Sequence, residues 1–67
     1  MERISVDSSN IASVGWVDNT LEVEFLGGKV YSYDAVPNSV FTQLISAGSV
    51  GEAFNRLVRG KYKGTEV

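Results

Sequence analysis

The sequence predicts an α+β domain: a small antiparallel sheet of three to four strands followed by two short helices. Three observations carry this expectation. Thr20 to Phe25 alternates strictly, with Leu21, Val23 and Phe25 set against Thr20, Glu22 and Glu24, as in a strand with one buried face. Asp18-Asn19 and Gly27-Gly28 bracket that stretch with hairpin-turn chemistry. Beyond Pro37 the apolar residues recur at helical rather than strand spacing.

Ile4 to Val6 has the composition of a short edge strand, and Ile11 to Val17 that of a longer one. A two-residue Asp18-Asn19 loop sets Val17 opposite Thr20, Trp16 opposite Leu21 and Val14 opposite Val23. Trp16, Val14, Leu21, Val23 and Phe25 then share one face. The next strand, Lys29 to Tyr33, has two registers open to it. A two-residue Gly27-Gly28 loop pairs Phe25 with Val30 and turns Tyr31 and Tyr33 outward beside Glu22 and Glu24. A three-residue loop shifts the pairing by one and turns both tyrosines to the core.

Val36 precedes a proline and should be extended, and Pro37 suits the first turn of a helix. Val40, Phe41, Leu44 and Ile45 make one apolar stripe, and Gly48 stops this helix. Ser49 and Glu52 have capping-box spacing for a second helix. Its apolar side is Phe54, Leu57 and Val58, Glu52 and Arg56 are spaced as a stabilising pair, and Gly60 ends it.

Sixty-seven residues form one domain, 1–67. A chain of this size buries a limited core, and small folds are usually reinforced by disulfides, metals or self-association. With no cysteine and no histidine, disulfides, thiolate metal sites and the commonest metal ligand are unavailable. A homo-oligomer is the expected reinforcement. The apolar fraction of 43% is that of a globular chain, and no run approaches the roughly 20 apolar residues of a membrane span. The N-terminus lacks a signal-peptide pattern, and a cytoplasmic location is expected.

The net charge of −2 hides an asymmetry. Residues 1–52 carry two basic and seven acidic groups, a net −5, whereas Arg56, Arg59, Lys61 and Lys63 against Glu66 make residues 53–67 +3. An acidic body argues against binding long nucleic acid, which takes many phosphate contacts. A local positive end on such a body suits a ligand with one or two phosphates. Catalysis has little support: serine nucleophiles need a base, and the paired carboxylates Glu22 and Glu24 lie on one strand face with no sign of a cleft. Neither a cofactor nor a metal is expected.

Ser8-Ser9-Asn10-Ile11, Gly15-Trp16, Leu21 to Phe25, Tyr31-Ser32-Tyr33, Val36-Pro37 and Ala47 to Asn55, followed by Arg59 and Tyr62, together resemble the KTSC family, named for the C-terminal domain of some lysyl-tRNA synthetases. The resemblance runs from Ser8 to Tyr62, and its central mark is Tyr31-x-Tyr33. It departs at Trp16, where the family usually has tyrosine, and at the short Asp18-Asn19 loop. It implies a small binding domain, standing alone in bacteria and phages or fused to larger proteins, with RNA binding implied by the synthetase link.

The site expected from these readings is Tyr31, Tyr33, Asn55, Arg59 and Tyr62, with Arg56 as a weaker addition. Tyr31 and Tyr33 could stack a base and bond a sugar or phosphate; alternatively they pack under the helices with only their hydroxyls wet. Arginines suit bidentate phosphate capture, but cations also collect at solvated helix ends. Asn55 lies one turn before Arg59 and should face the same way. Ser8, Ser9 and Asn10 read mainly as turn chemistry, and Ser49 to Gly51 as an ordinary cap. The leading expectation is a non-enzymatic domain that captures a small nucleotide-type ligand, such as a cyclic nucleotide. By analogy with standalone phage members of the family it resembles, that role would be a sponge for a host signalling nucleotide. An RNA-binding module and a protein–protein adaptor anchored by Tyr31, Tyr33 and Trp16 are the alternatives; no membrane partner is expected.

Overall fold

In the computed structural model, which describes residues 1–67, five antiparallel strands lie across one sheet in chain order. They are β1 (Ile4–Ser5), β2 (Ile11–Val17), β3 (Thr20–Phe25), β4 (Val30–Tyr33) and β5 (Gly64–Glu66). Two helices, α1 (Asn38–Ser46) and α2 (Val50–Leu57), are inserted between β4 and β5. The α+β class is as the sequence implies. The fifth strand is an addition: the chain returns from α2 to pair Gly64, Thr65 and Glu66 with Tyr33, Ser32 and Tyr31.

The β2–β3 hairpin has the expected register, with Val17 opposite Thr20, Trp16 opposite Leu21 and Val14 opposite Val23. Asp18 and Asn19 both take positive φ, 49° and 63°, the backbone of a two-residue turn whose twist matches its strands. Further along, the register slips between Ser13 and Ile11, so that Ile11 meets Phe25. This bulge returns Ile11 to the core face, where it is fully buried.

The second hairpin takes the three-residue loop. Phe25 N–H donates to the Lys29 carbonyl at 2.8 Å, and Leu21 and Val23 face Tyr33 and Tyr31. Both tyrosines therefore stand on the helix-covered face, not beside the glutamates. Leu21, Val23, Tyr33, Ile11 and Val14 from the sheet meet Val40, Leu44, Val50, Ala53, Phe54 and Val58 from the helical segment in one core.

The helices depart in detail from expectation. Pro37 caps α1 from outside with extended backbone (φ −70°, ψ 155°) rather than sitting in its first turn. The α1 stripe is narrower than four residues: Val40 and Leu44 are buried, Phe41 is half-buried, and Ile45 is exposed. Ser49 caps α2 by accepting the Glu52 N–H at 3.2 Å. The ion pairs of the fold belong to Arg3, which reaches Glu22 and Glu24 on the outer face of the sheet, so Glu52 and Arg56 are not paired. Ser13 joins that outer network, accepting from Arg3 Nε at 3.0 Å and donating to Glu24 at 2.8 Å. The N-terminal residues cross this face above Gly15, where a Cβ would stand 2.5 Å from the Glu2 carbonyl oxygen.

Candidate functional site

The three-residue hairpin loop decides where the aromatic rings go, and the rings build a cleft. Phe25, Tyr31 and Tyr33 project from β3 and β4 toward α2, and Phe54 of α2 meets them. The contacts are edge-to-face: Phe25 to Tyr31 at 5.8 Å, Phe25 to Phe54 at 5.6 Å and Tyr33 to Phe54 at 5.7 Å between ring centres. Beside this cluster opens a cleft of about 340 Å³ lined by the four rings and by Asn10, Asn55 and Arg59.

Each polar group is placed by backbone it does not control. Asn55 lies in the last two turns of α2. Beyond Leu57, the amides of Val58 and Arg59 both donate to the Phe54 carbonyl, at 2.9 and 3.0 Å, and Gly60 takes a positive φ of 81°. This tight exit sets Arg59 beside the cleft. Its guanidinium has no carboxylate within ion-pair distance; the ion pairs of the fold are those of Arg3 with Glu22 and Glu24. Burial pushes the Tyr33 hydroxyl above the ordinary phenol range, the neighbouring Tyr31 adds to that, and the positive charge of Arg59 opposes it. At neutral pH Tyr33 is therefore a neutral hydrogen-bond donor.

Of the six expected site residues, Tyr31, Tyr33, Asn55 and Arg59 meet at this cleft. Arg56 is exposed and does not line it. Tyr62 also lies outside it: it is half-buried against the core and bridges back to Arg59 through backbone. Three further residues line the cleft. Phe25 and Phe54 carry no sequence signal beyond that of core residues, because only the three-dimensional arrangement shows that they line a cleft. Asn10 sits in a stretch that reads as turn chemistry, and it is a turn: Ser8 Oγ accepts the Ile11 N–H at 3.2 Å and the Asn10 N–H at 3.3 Å. Asn10 nevertheless lines the cleft.

The arrangement combines stacking surface, amide groups and one uncompensated cation, with no nucleophile–base pair. A model of the KTSC domain matches residues 7–62, a span that contains every cleft residue. The chain belongs to the KTSC family. An uncharacterized protein of Stutzerimonas stutzeri is 38% identical over 64 residues, covering 92% of this KTSC chain and 90% of the relative. A lysine–tRNA ligase of Nostoc punctiforme is 48% identical over 44 residues, which is 66% of the chain but 8% of the ligase. The crystal structure of a KTSC domain protein from Yersinia pestis superposes with a TM-score of 0.91 at 35% identity, covering 98% of this chain and 96% of that one. No helix of this KTSC chain is long and apolar enough to cross a membrane.

Proposed function

We propose that this KTSC chain is a non-catalytic binding domain whose cleft captures a small phosphate-bearing ligand, a nucleotide or cyclic nucleotide. The observation that carries the reading is the pairing of aromatic rings with the free guanidinium of Arg59 in one cleft. Aromatic side chains accept a base by stacking regardless of its identity. A guanidinium forks onto phosphate oxygens. The volume, about 340 Å³, lies at the lower end of the range for small-molecule sites. One cation suits one phosphate better than a polyphosphate tail.

The reading is non-catalytic because the polar groups at the cleft are carboxamides, phenols and a guanidinium. None of these is a base at neutral pH. Self-association would enclose the cleft further and belongs to the same reading. The role of a sponge for a signalling nucleotide rests on family habit alone. An RNA-binding module is the second reading, favoured by the 44-residue similarity to a lysine–tRNA ligase.

Native mass spectrometry of the purified protein tests the first reading, followed by titration with nucleoside 5′-monophosphates, nucleosides and a short single-stranded RNA. A retained nucleotide mass at fixed stoichiometry, or saturable monophosphate binding, supports capture. Arg59→Ala should weaken that binding by about tenfold or more while the fold persists. Binding confined to RNA, with affinity falling steeply as salt rises from about 50 to 200 mM, would replace capture with the RNA reading. Indifference to every phosphate compound points instead to an adaptor.

A further inference from the structure

Asn10 holds its carboxamide in one orientation before any ligand arrives. The neighbouring Ser8 hydroxyl has one hydrogen to donate and two lone pairs to offer. Backbone N–H groups of Asn10 and Ile11 approach those lone pairs at 3.3 and 3.2 Å. The hydroxyl hydrogen is thus left for the Asn10 side-chain atom 3.0 Å away, and that atom must be an acceptor. Hydrogen-bond chemistry therefore makes it Oδ1 and not Nδ2.

The same oxygen has its place only because residue 51 is a glycine. It occupies the space a side chain would take at residue 51: a Cβ on Gly51 would stand 2.6 Å from Oδ1 and 3.3 Å from Ser8 Oγ. The backbone of Asn10 is anchored too, its carbonyl accepting the Leu26 N–H at 2.9 Å from the tip of the β3–β4 hairpin. With Oδ1 engaged by the Ser8 hydroxyl, the two Nδ2 hydrogens are left without a hydrogen-bond acceptor in the protein. Asn10 lines the cleft, so these hydrogens are available to its contents.

We propose that Asn10 is a specificity-determining residue of the cleft, its carboxamide locked by Ser8 so that only donors face the ligand. The inference rests on the capture reading and deepens it. A free asparagine reads donors and acceptors alike by flipping its amide. A locked one favours a ligand group that only accepts, either a phosphoryl oxygen or a ring carbonyl. With Arg59 and the neutral Tyr33 hydroxyl on the same cleft, most of its polar groups then donate. Ser8 acts as a positioning residue, through Asn10.

Two measurements test this. In the free protein, ¹⁵N relaxation of the Asn10 side-chain NH₂ group should be that of a rigid amide in the wild type and in Ser8→Thr, and that of a mobile one in Ser8→Ala. A mobile group already present in the wild type would overturn the lock. In titrations with uridine 5′-monophosphate, uridine and inorganic phosphate, Asn10→Ala and Asn10→Asp should lose about tenfold or more in affinity, the aspartate losing more. Loss confined to the monophosphate and phosphate names the phosphoryl oxygen as the group read; equal loss for uridine names the ring carbonyl. Wild-type affinity in both Asn10 variants, alongside weakened binding in Arg59→Ala, would reject the role of Asn10 while leaving capture standing. Failure of the wild type to bind any of the three would reject both.

Discussion

The ring of Tyr33 lies across Gly64, its partner on the adjacent strand: a Cβ at residue 64 would stand 2.5 Å from Tyr33 Cε2 and 2.9 Å from Cζ. The absent side chain at Gly64 is what lets one tyrosine pack on Phe54 and, at the same time, cover β5. Alanine is normally favoured over glycine in a strand by about 0.5–1 kcal/mol. Here Gly64→Ala should instead destabilise the protein by about 1–3 kcal/mol, because the ring is held between helix and strand and has little room to give. Denaturant midpoints would check this. A neutral or stabilising result would mean that β5 can slide off the ring at no cost.

Tyr33 also couples the fold to alkaline pH. Burial, with a smaller push from Tyr31, raises its pKa above the ordinary phenol value, against the opposing pull of Arg59. The unfolded chain therefore releases this proton first as pH rises. Between the unfolded and the folded pKa the native state holds more protons, so stability falls with rising pH. The contribution is fully present below about pH 10 and is lost above it. Urea midpoints between pH 7 and 11 should show this decline in the wild type, and Tyr33→Phe should flatten it. An equal decline in both proteins would assign the loss to other groups.

Much of the sheet was legible because turn chemistry and alternation agreed. Asp18-Asn19 admits the positive φ of both turn residues, and Val14, Trp16, Leu21 and Val23 then share a face. The second hairpin was not, since two adjacent glycines serve a two- or a three-residue loop equally well; the hydrogen bond from Phe25 to Lys29 separates them. That single register step decides whether Tyr31 and Tyr33 belong to the cleft. β5 carried no signal at all: Gly64, Thr65 and Glu66 neither alternate nor offer apolar bulk, and a tertiary contact with Tyr33 holds them. The positive end groups Arg56 with Arg59 and the family resemblance adds Tyr62, but Arg56 is exposed on α2 away from the cleft and Tyr62, beyond the turn at Gly60, packs against the core.

Trp16 ties the sheet to the start of α1. Its indole N–H donates to the carbonyl of Val36 at 2.7 Å, and the Val36 amide donates in turn to the Asn19 carbonyl at 2.9 Å. Val36 is fully buried, so removing the indole leaves its carbonyl short of a partner. Trp16→Phe should cost about 1–3 kcal/mol. Trp16 is the sole tryptophan, so circular dichroism must report the transition. At about 4–8 °C per kcal/mol for a domain of this size, the melting temperature should drop visibly. An unchanged melting temperature would show that water replaces the indole at this carbonyl.

Gly51 is a position at which stability and the proposed binding should part. It lies within the first turn of α2, where alanine is the better helix former by about 1 kcal/mol. The group that an added Cβ would meet is the Asn10 carboxamide oxygen at 2.6 Å, the end of an exposed side chain that can yield by giving up its one hydrogen bond to Ser8. Gly51→Ala should therefore leave the fold as stable as the wild type or slightly more so. The displaced carboxamide would lose its bond to Ser8 and its fixed aim into the cleft. Titration of Gly51→Ala with uridine 5′-monophosphate should then show weakened binding, by about as much as in Asn10→Ala, in a protein whose denaturation midpoint has not fallen. Weaker binding accompanied by a large loss of stability would make Gly51 a plain packing residue. Full stability with wild-type binding would show that Asn10 does its work equally well from another rotamer.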